Sequence, residues 1–134
     1  MKVIEVAAGL VHREGRYLIA RRGPGVHLAG FWEFPGGKRE PDETLEACLR
    51  RELFEELGIQ IDMPIPFQVI RHEYQEKIVE LHFFLCRIEA GQATAIDCAE
   101  IRWVWPHELG DFEFPPADRP IIEALRRENL GQPL

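Results

Sequence analysis

Cysteine is scarce in this chain. Its three copies, Cys48, Cys86 and Cys98, are odd in number and lack the paired spacing of a metal knuckle or a disulfide framework. They read as buried or partly buried thiols in a reducing compartment, which points to the cytoplasm. Long apolar runs are missing as well: no stretch approaches the roughly eighteen apolar residues of a membrane span. The first residues lack the basic-then-apolar order of a signal peptide, so a soluble, unexported protein is expected. Positive charge is in deficit, with 16 Lys and Arg against 23 Asp and Glu and a formal net charge of -7. Such a balance argues against a nucleic-acid polymer or an anionic membrane as partner, because those surfaces need excess Lys and Arg. A small anionic ligand held through a cation remains open. The histidines form no HExxH or HxH pattern, and no repeat or heptad is present. At 134 residues, one domain spanning 1–134 is the expectation.

What the chain does have is concentrated between Gly37 and Ile59. Leu49, Leu53 and Leu57 recur every four residues, the stripe of an amphipathic helix, and Phe54 is expected to widen that inward face. Asp42 or Thr44 suits the N-cap, and Gly58 suits the left-handed residue that ends the helix. Glu52, Glu55 and Glu56 stand at i, i+3 and i+4, so their carboxylates share another face of the helix. Like charges at that spacing repel by about 0.2 to 0.5 kcal/mol per pair. A hard divalent cation with oxygen ligands is the natural counter-charge, and Mg2+ in particular combines a few carboxylates with substrate phosphates.

The spacing is more specific than charge alone. Gly37, five residues, Glu43, seven residues, then Arg51-Glu52-Leu53-Phe54-Glu55-Glu56-Leu57-Gly58-Ile59 resembles the Nudix box without a departure. An acidic solvated helix face would explain the glutamates but not Gly37, Glu43, Arg51 and Gly58 at these offsets. The resemblance to the Nudix hydrolase family covers nearly the whole chain. It implies an α/β (α+β) Nudix fold, an α/β/α sandwich with a mixed central sheet. It also implies hydrolysis of a nucleoside triphosphate to the monophosphate and pyrophosphate with Mg2+, for which Mn2+ can substitute. Glu52, Glu55 and Glu56 would hold the metal with a backbone carbonyl at Gly36 or Gly37. MutT-like relatives add a carboxylate from a later loop, where Asp97 is nearest in register and Glu100 competes. Glu52, Glu55, Arg51 and Glu43 form the expected catalytic group, Arg51 orienting Glu52 and Glu43 steadying the loop-helix junction. The general base stays open among Glu52, Glu55 and the Asp97/Glu100 loop.

The remaining segments frame this centre. Lys2 to Val11 and Tyr17 to Ala20 read as a hairpin, and Arg21-Arg22 ends it before a Gly-Pro-Gly loop. Neighbouring strand residues point to opposite faces, so one arginine reaches a site and the other salt-bridges or meets water; the resemblance favours Arg22 for phosphate. His27 lies in the following loop, as nucleotide contact or surface residue. Trp32 and Phe34 are expected in the core, with Glu33 and Phe34 bordering the nucleotide and Lys38 beside the glycine turn as a mobile charge. Pro64 and Pro66 bracket an expected linker before a second hairpin, Phe67 to Tyr74 and Ile78 to Ile88, in which His72 and His82 read as ordinary strand residues. One of Phe83 and Phe84 should be core and the other border a pocket. Ile101 to Trp105 is a short strand stopped by Pro106.

The Phe114-Pro115-Pro116-Ala117 opening resembles the base-recognition loop of MutT-type enzymes and leads into a helix with Ile121, Ile122, Leu125 and Leu130 on one spacing. Asp118 stands where 8-oxoguanine-specific relatives carry asparagine; an ionised carboxylate only accepts hydrogen bonds, which suits amino and imino hydrogens. Asp118 also suits a helix N-cap. Three functions follow: sanitation of oxidised nucleoside triphosphates with 8-oxo-dGTP leading, turnover of CTP or modified pyrimidine triphosphates, or a non-catalytic nucleotide-binding module. Either a monomer or a homodimer is compatible with the chain.

Overall fold

The computed structural model describes residues 2–128. Its organising strand is β1 (Lys2–Arg13), rich in Val, Ile and Ala, which turns at Glu14 and Gly15 into β2 (Arg16–Arg21). Next come β3 (Trp32–Glu33), β4 (Gly36–Lys38) and helix α1 (Leu45–Leu57). They are followed by β5 (Gln60–Ile61), β6 (Ile65–Glu73), β7 (Lys77–Cys86), β8 (Ile88–Ala90) and β9 (Glu100–Val104). Two 3-10 segments, Pro106–Asp111 and Pro116–Asp118, lead to helix α2 (Arg119–Glu128).

The seven-stranded main sheet runs β3-β2-β1-β7-β6, with β4 also on β1 and β9 on β2, while β5 and β8 pair separately. It is mixed. β1 and β7 are parallel from Lys2↔Lys77 to Val11↔Cys86, and a parallel pair needs a crossover rather than a hairpin. α1 belongs to that crossover. Alternation along each strand then makes two cores: Ala7, Val11, Leu18, Phe84 and Cys86 meet Leu49, Leu53 and Leu57 of α1. On the opposite face Leu10, Tyr17, Ile19, Trp32, Phe34 and Phe83 meet Leu109, Ile121 and Leu125. The helices sandwich the sheet as the resemblance implies. Gly9 brings α1 close to β1, since a Cβ there would lie 3.2 Å from Leu53 Cδ1 and 3.4 Å from Leu49 Cδ1.

Several expectations change. Phe54 does not widen the inward stripe; it is 57% exposed, and fully buried Cys48 extends the interface on the opposite flank of the leucines. The segment between Pro64 and Pro66 is not a linker, because β6 starts at Ile65 and takes Pro66 into the ladder next to a register shift, on the sheet edge where a missing N–H is tolerated. The strand expected to end at Ile88 stops at Cys86, where Arg87 donates its N–H to Asp62 Oδ1 at 2.9 Å and the chain turns into β8. Phe83 and Phe84 divide as expected, Phe84 packing in the α1-side core and Phe83, on the opposite face, bordering a cavity. Leu130 lies outside the described residues.

Candidate active site

The site starts with how α1 is begun and ended. Thr44, rather than Asp42, caps the helix by accepting the Ala47 N–H at 3.0 Å, and Gly58 ends it at φ 72° while donating to the Phe54 carbonyl at 2.9 Å. These limits set the rotation of α1 and therefore where its carboxylates point. Glu52 packs against the glycine turn so closely that a Cβ on Gly37 would collide with its carboxylate.

Arg51 gathers the acidic groups. Its Nε and Nη2 donate to the two oxygens of Glu43 at 3.0 and 2.7 Å, a fork on one carboxylate. Its Nη1 reaches Glu52 at 3.2 Å and Glu55 at 3.0 Å, and Nη2 also donates to the Lys38 carbonyl at 3.2 Å. Sequence reasoning expected the Glu52 contact alone. The Arg51 hydrogen bonds hold the Glu43 carboxyl down to about 2, helped by the Glu40 backbone N–H. The repulsion expected between the helix glutamates is thus offset for two of them by Arg51.

Glu56 behaves differently. It turns into the protein, and its Oε2 is buried without a hydrogen-bond partner. Burial pushes its carboxyl up to about 8, with further contributions from Glu33, Glu52 and Asp97, while the Gly36 backbone hydrogen bond opposes the shift. A buried acceptor surrounded by carboxylates is a place where a cation would lower the energy of the whole group.

Two cavities meet at this point. The smaller, about 420 Å³, is lined by Arg22, Glu33, Glu56, Asp97 and Cys98. The larger, about 480 Å³, contains Arg22, Glu33 and Glu56 again, then His27, Phe34, Gly36, Gly37, Lys38, His72, Tyr74, Leu81, Phe83 and Asp118. Arg22 Nη1 lies 2.7 Å from Glu33 Oε1, and its Nε donates to the His27 carbonyl at 2.6 Å. Burial raises the Glu33 carboxyl above its ordinary range even though Arg22 pulls the other way. Phe34 forms the aromatic wall, its ring centroid 5.2 Å from Phe114 and 6.2 Å from Phe83. Asp118 closes the far side, 7% exposed. Burial, reinforced by Glu33, pushes its carboxyl up to about 7. Among the described residues its carboxylate makes no hydrogen bond, so the N-cap role is not seen.

The structure therefore gathers Arg22, His27, Glu33, Phe34, Lys38 and Asp118 on one cavity, with Gly36, Gly37 and Glu56 at its inner end. Of the two loop carboxylates only Asp97 reaches the site: Ile96 and Asp97 both donate backbone N–H groups to the Glu56 carbonyl, at 3.0 and 3.1 Å, hanging the loop on the end of α1. Glu100 already lies in β9, and its carboxylate binds Arg102 at 3.1 Å and Arg21 at 3.6 Å. Arg21 is the arginine that salt-bridges away. His72 and Tyr74 were not expected at the site; the hairpin register, His72↔Val79 and Ile70↔Leu81, is the signal that sets them on the cavity face. A separate group of metal-type donors, Glu5, Glu80 and His82, stands within 4.8 Å on the α1 side of the sheet, but Arg39 and Arg71 already take its carboxylates.

A family model of the NUDIX domain matches residues 6–124. The chain belongs to the Nudix family. Members of this family generally use divalent metal ions, and the oxygen donors around Glu56 fit such an ion. The chain is similar to a CTP pyrophosphohydrolase from Escherichia coli, with 36% identity over 99% of this chain and 98% of that one. It is also similar to an 8-oxo-dGTP diphosphatase from Haemophilus influenzae, with 37% identity over 95% and 94%. The crystal structure of a MutT protein from Methanosarcina mazei superposes with TM-score 0.81 at 30% identity, covering 96% of both chains. This Nudix domain is thus a MutT-like hydrolase. No helix among the described residues is long and apolar enough to cross a membrane.

Proposed function

We propose that this Nudix hydrolase cleaves nucleoside triphosphates to the monophosphate and pyrophosphate, with 8-oxo-dGTP as its leading substrate. In this reading it sanitises the nucleotide pool of the cytoplasm, for replication fidelity. One observation carries the proposal: the aromatic cavity ending at Asp118 opens, through Arg22, Glu33 and Glu56, into the acidic cavity beside the Nudix helix. A nucleobase fits the first and a phosphate chain the second. The names of the relatives support the same substrate class.

Each residue has a role that its surroundings support. Phe34 and Phe83 give the base an apolar wall, and Asp118 faces its polar edge. At about 7 the Asp118 carboxyl is divided between its two forms near neutrality, so it can donate as well as accept. The protonated form acts as asparagine would. Arg22 and Lys38 offer cationic donors to the phosphates, the first as a fork and the second as a point charge. Glu52, Glu55, Glu56 and Asp97, with the Gly36 carbonyl, would hold Mg2+, which when bound supplies electrophilic stabilisation to charge building on phosphate oxygens. Glu52, oriented by Arg51, accepts the proton of the attacking water. Attack at the β phosphorus breaks its bond to the oxygen bridging the α phosphorus, and the nucleoside monophosphate leaves.

Turnover of CTP or a modified pyrimidine triphosphate is the second reading, favoured by ionised Asp118 accepting from cytosine N4. The test is kcat/KM with Mg2+ for 8-oxo-dGTP, dGTP, CTP and 5-methyl-dCTP, run in 18O-water with products identified by mass. A lead for 8-oxo-dGTP with label in pyrophosphate supports the proposal. A lead for the cytidine nucleotides selects the second reading, and label in the monophosphate overturns β attack. Nucleotide binding without any hydrolysis in excess Mg2+ leaves a binding module.

A further inference from the structure

The loop between β4 and α1 carries Glu43, the residue that Arg51 forks, yet it has little regular structure of its own. Within it, the Glu43 N–H reaches the Glu40 carbonyl at 3.3 Å and the Glu40 N–H reaches Glu43 Oε1 at 2.9 Å. Arg39 supplies the rest. Its Nη1 donates to the carbonyls of Glu40, Pro41 and Glu43 at 3.2, 3.4 and 3.1 Å, so three carbonyl dipoles of the loop converge on one cation. Its other side is tied to the central strand: the Arg39 N–H donates to the Glu5 carbonyl at 2.9 Å, and Nε donates to Glu5 Oε1 at 2.9 Å.

Glu5 stands beside a second, separate ion pair: it lies on β1 in register with Glu80 of β7, which Arg71 of β6 pairs, and His82 Nε2 stands 3.7 Å from Glu5 and 3.4 Å from Glu80. The side chains of Arg39 and Glu5 are 31% and 29% exposed, so the pair is screened less than a fully solvated one.

We infer that Arg39 and Glu5 are positioning residues for catalysis, a staple that fixes the Nudix loop to the sheet and so sets Glu43, Arg51 and the carboxylates Arg51 holds. The inference rests on the proposed role of Glu52 and Glu55 at the metal. The connection is continuous: Glu5 to Arg39, Arg39 to the Glu43 carbonyl, the Glu43 carboxylate to Arg51, and Arg51 to Glu52 and Glu55. Lysine cannot replace Arg39, because a single ammonium cannot face Glu5 and the loop carbonyls with a planar fork.

The test compares Arg39→Ala, Arg39→Lys and Glu5→Gln with Arg71→Ala, which alters the same polar face without touching the loop. Three quantities are read: Mn2+ affinity without nucleotide, hydrogen exchange of the Arg51 Nε–H by NMR, and kcat and KM. Arg39→Ala should weaken Mn2+ binding and lower kcat, each about tenfold, as loss of a supporting contact behind a ligand does. KM should stay within about twofold, and the Arg51 Nε–H should exchange faster. Arg39→Lys should recover little, Glu5→Gln should move in the same direction less far, and Arg71→Ala should match wild type. A lowered Tm with unchanged Mn2+ affinity and unchanged exchange in Arg39→Ala overturns the staple. Should that variant not fold, Glu5→Gln decides by the same readouts. A wild-type protein without hydrolysis rejects the proposed activity instead, while the exchange comparison still decides the staple.

Discussion

Arg22 on the chain leaving β2 and Glu33 on β3 form a 2.7 Å ion pair where the aromatic cavity meets the acidic cavity. In the proposed reading the pair offers a cation to the phosphates, and it keeps a carboxylate beside Glu56 and Asp118 from standing alone. Arg22→Ala should lower kcat/KM roughly 100-fold, the scale of losing a preorganised donor. It should also cost about 1 to 3 kcal/mol of stability, from a half-buried carboxylate left unpaired. Because Glu33 is already raised by burial, the stability loss should be larger at pH 8 than at pH 5. Denaturation at both pH values, beside steady-state kinetics, checks this; equal losses would mean Glu33 finds another partner.

Glu52→Gln should lower kcat by about 100-fold or more, the range of a lost general base, with Tm little changed. The packing of residue 52 against Gly37 is preserved by the amide, so circular dichroism should match wild type. Near-wild-type turnover would remove Glu52 from the chemistry.

Glu56 makes metal binding and stability depend on pH together. Its carboxyl is raised from 4.5 to about 8, so the folded protein without metal favours the proton. The stability from that proton is complete below about pH 4.5 and is lost as pH rises through about 8. Mg2+ should raise Tm more at pH 8.5 than at pH 6, since a cation replaces the proton. Glu56→Gln should raise the metal-free Tm at alkaline pH and remove most of the Mg2+ increment; thermal shift with and without EDTA reads both. An unchanged Mg2+ increment would place the ion elsewhere.

Burial, reinforced by Glu33, pushes the Asp118 carboxyl up to about 7 at the end of the aromatic cavity. Its folded value is raised from 3.8, so its contribution to stability is full below about pH 3.8 and is lost as pH rises through about 7. Asp118→Asn should flatten the fall of stability between pH 5 and pH 8. For substrates, the protonated acid donates to one acceptor of the base edge and accepts from a neighbouring N–H, a pattern 8-oxoguanine presents through O6 and N7–H. The ratio of kcat/KM for 8-oxo-dGTP over CTP should therefore fall as pH rises past 7, and the variant should lose this trend. A ratio independent of pH in both proteins would show that Asp118 does not read the base.

Phe54 and Leu53 are neighbours with opposite fates, 57% exposed and fully buried. Phe54→Ser should change stability by no more than about 0.5 kcal/mol. Leu53→Ala should cost about 2 to 5 kcal/mol, because it opens a cavity under β1. Urea denaturation of both variants checks the assignment.

Much of this molecule was legible in its residue order. The caps of α1, its leucine stripe, the offsets from Gly37 to Ile59, the two hairpins and the short strand before Pro106 all depend on contacts within a few residues, where periodicity and turn chemistry decide. That only one of Arg21 and Arg22 reaches the cavity followed from the alternation of a strand, and the family resemblance pointed to Arg22. The tertiary structure decided what depends on residues far apart in sequence. The parallel register of β1 with β7 set which strand faces line the cavity and so brought in His72 and Tyr74. The loop hung on the Glu56 carbonyl chose Asp97, because Glu100 was already held by Arg21 and Arg102. Phe54 was left outside because the sheet covers the leucine stripe and its Cys48 flank, and Phe54 lies on the opposite flank. The same helix turn leaves Glu55 exposed on Arg51 and Glu56 turned inward with its Oε2 buried and unpaired, a difference of desolvation that neighbours in space create and spacing along a helix does not contain.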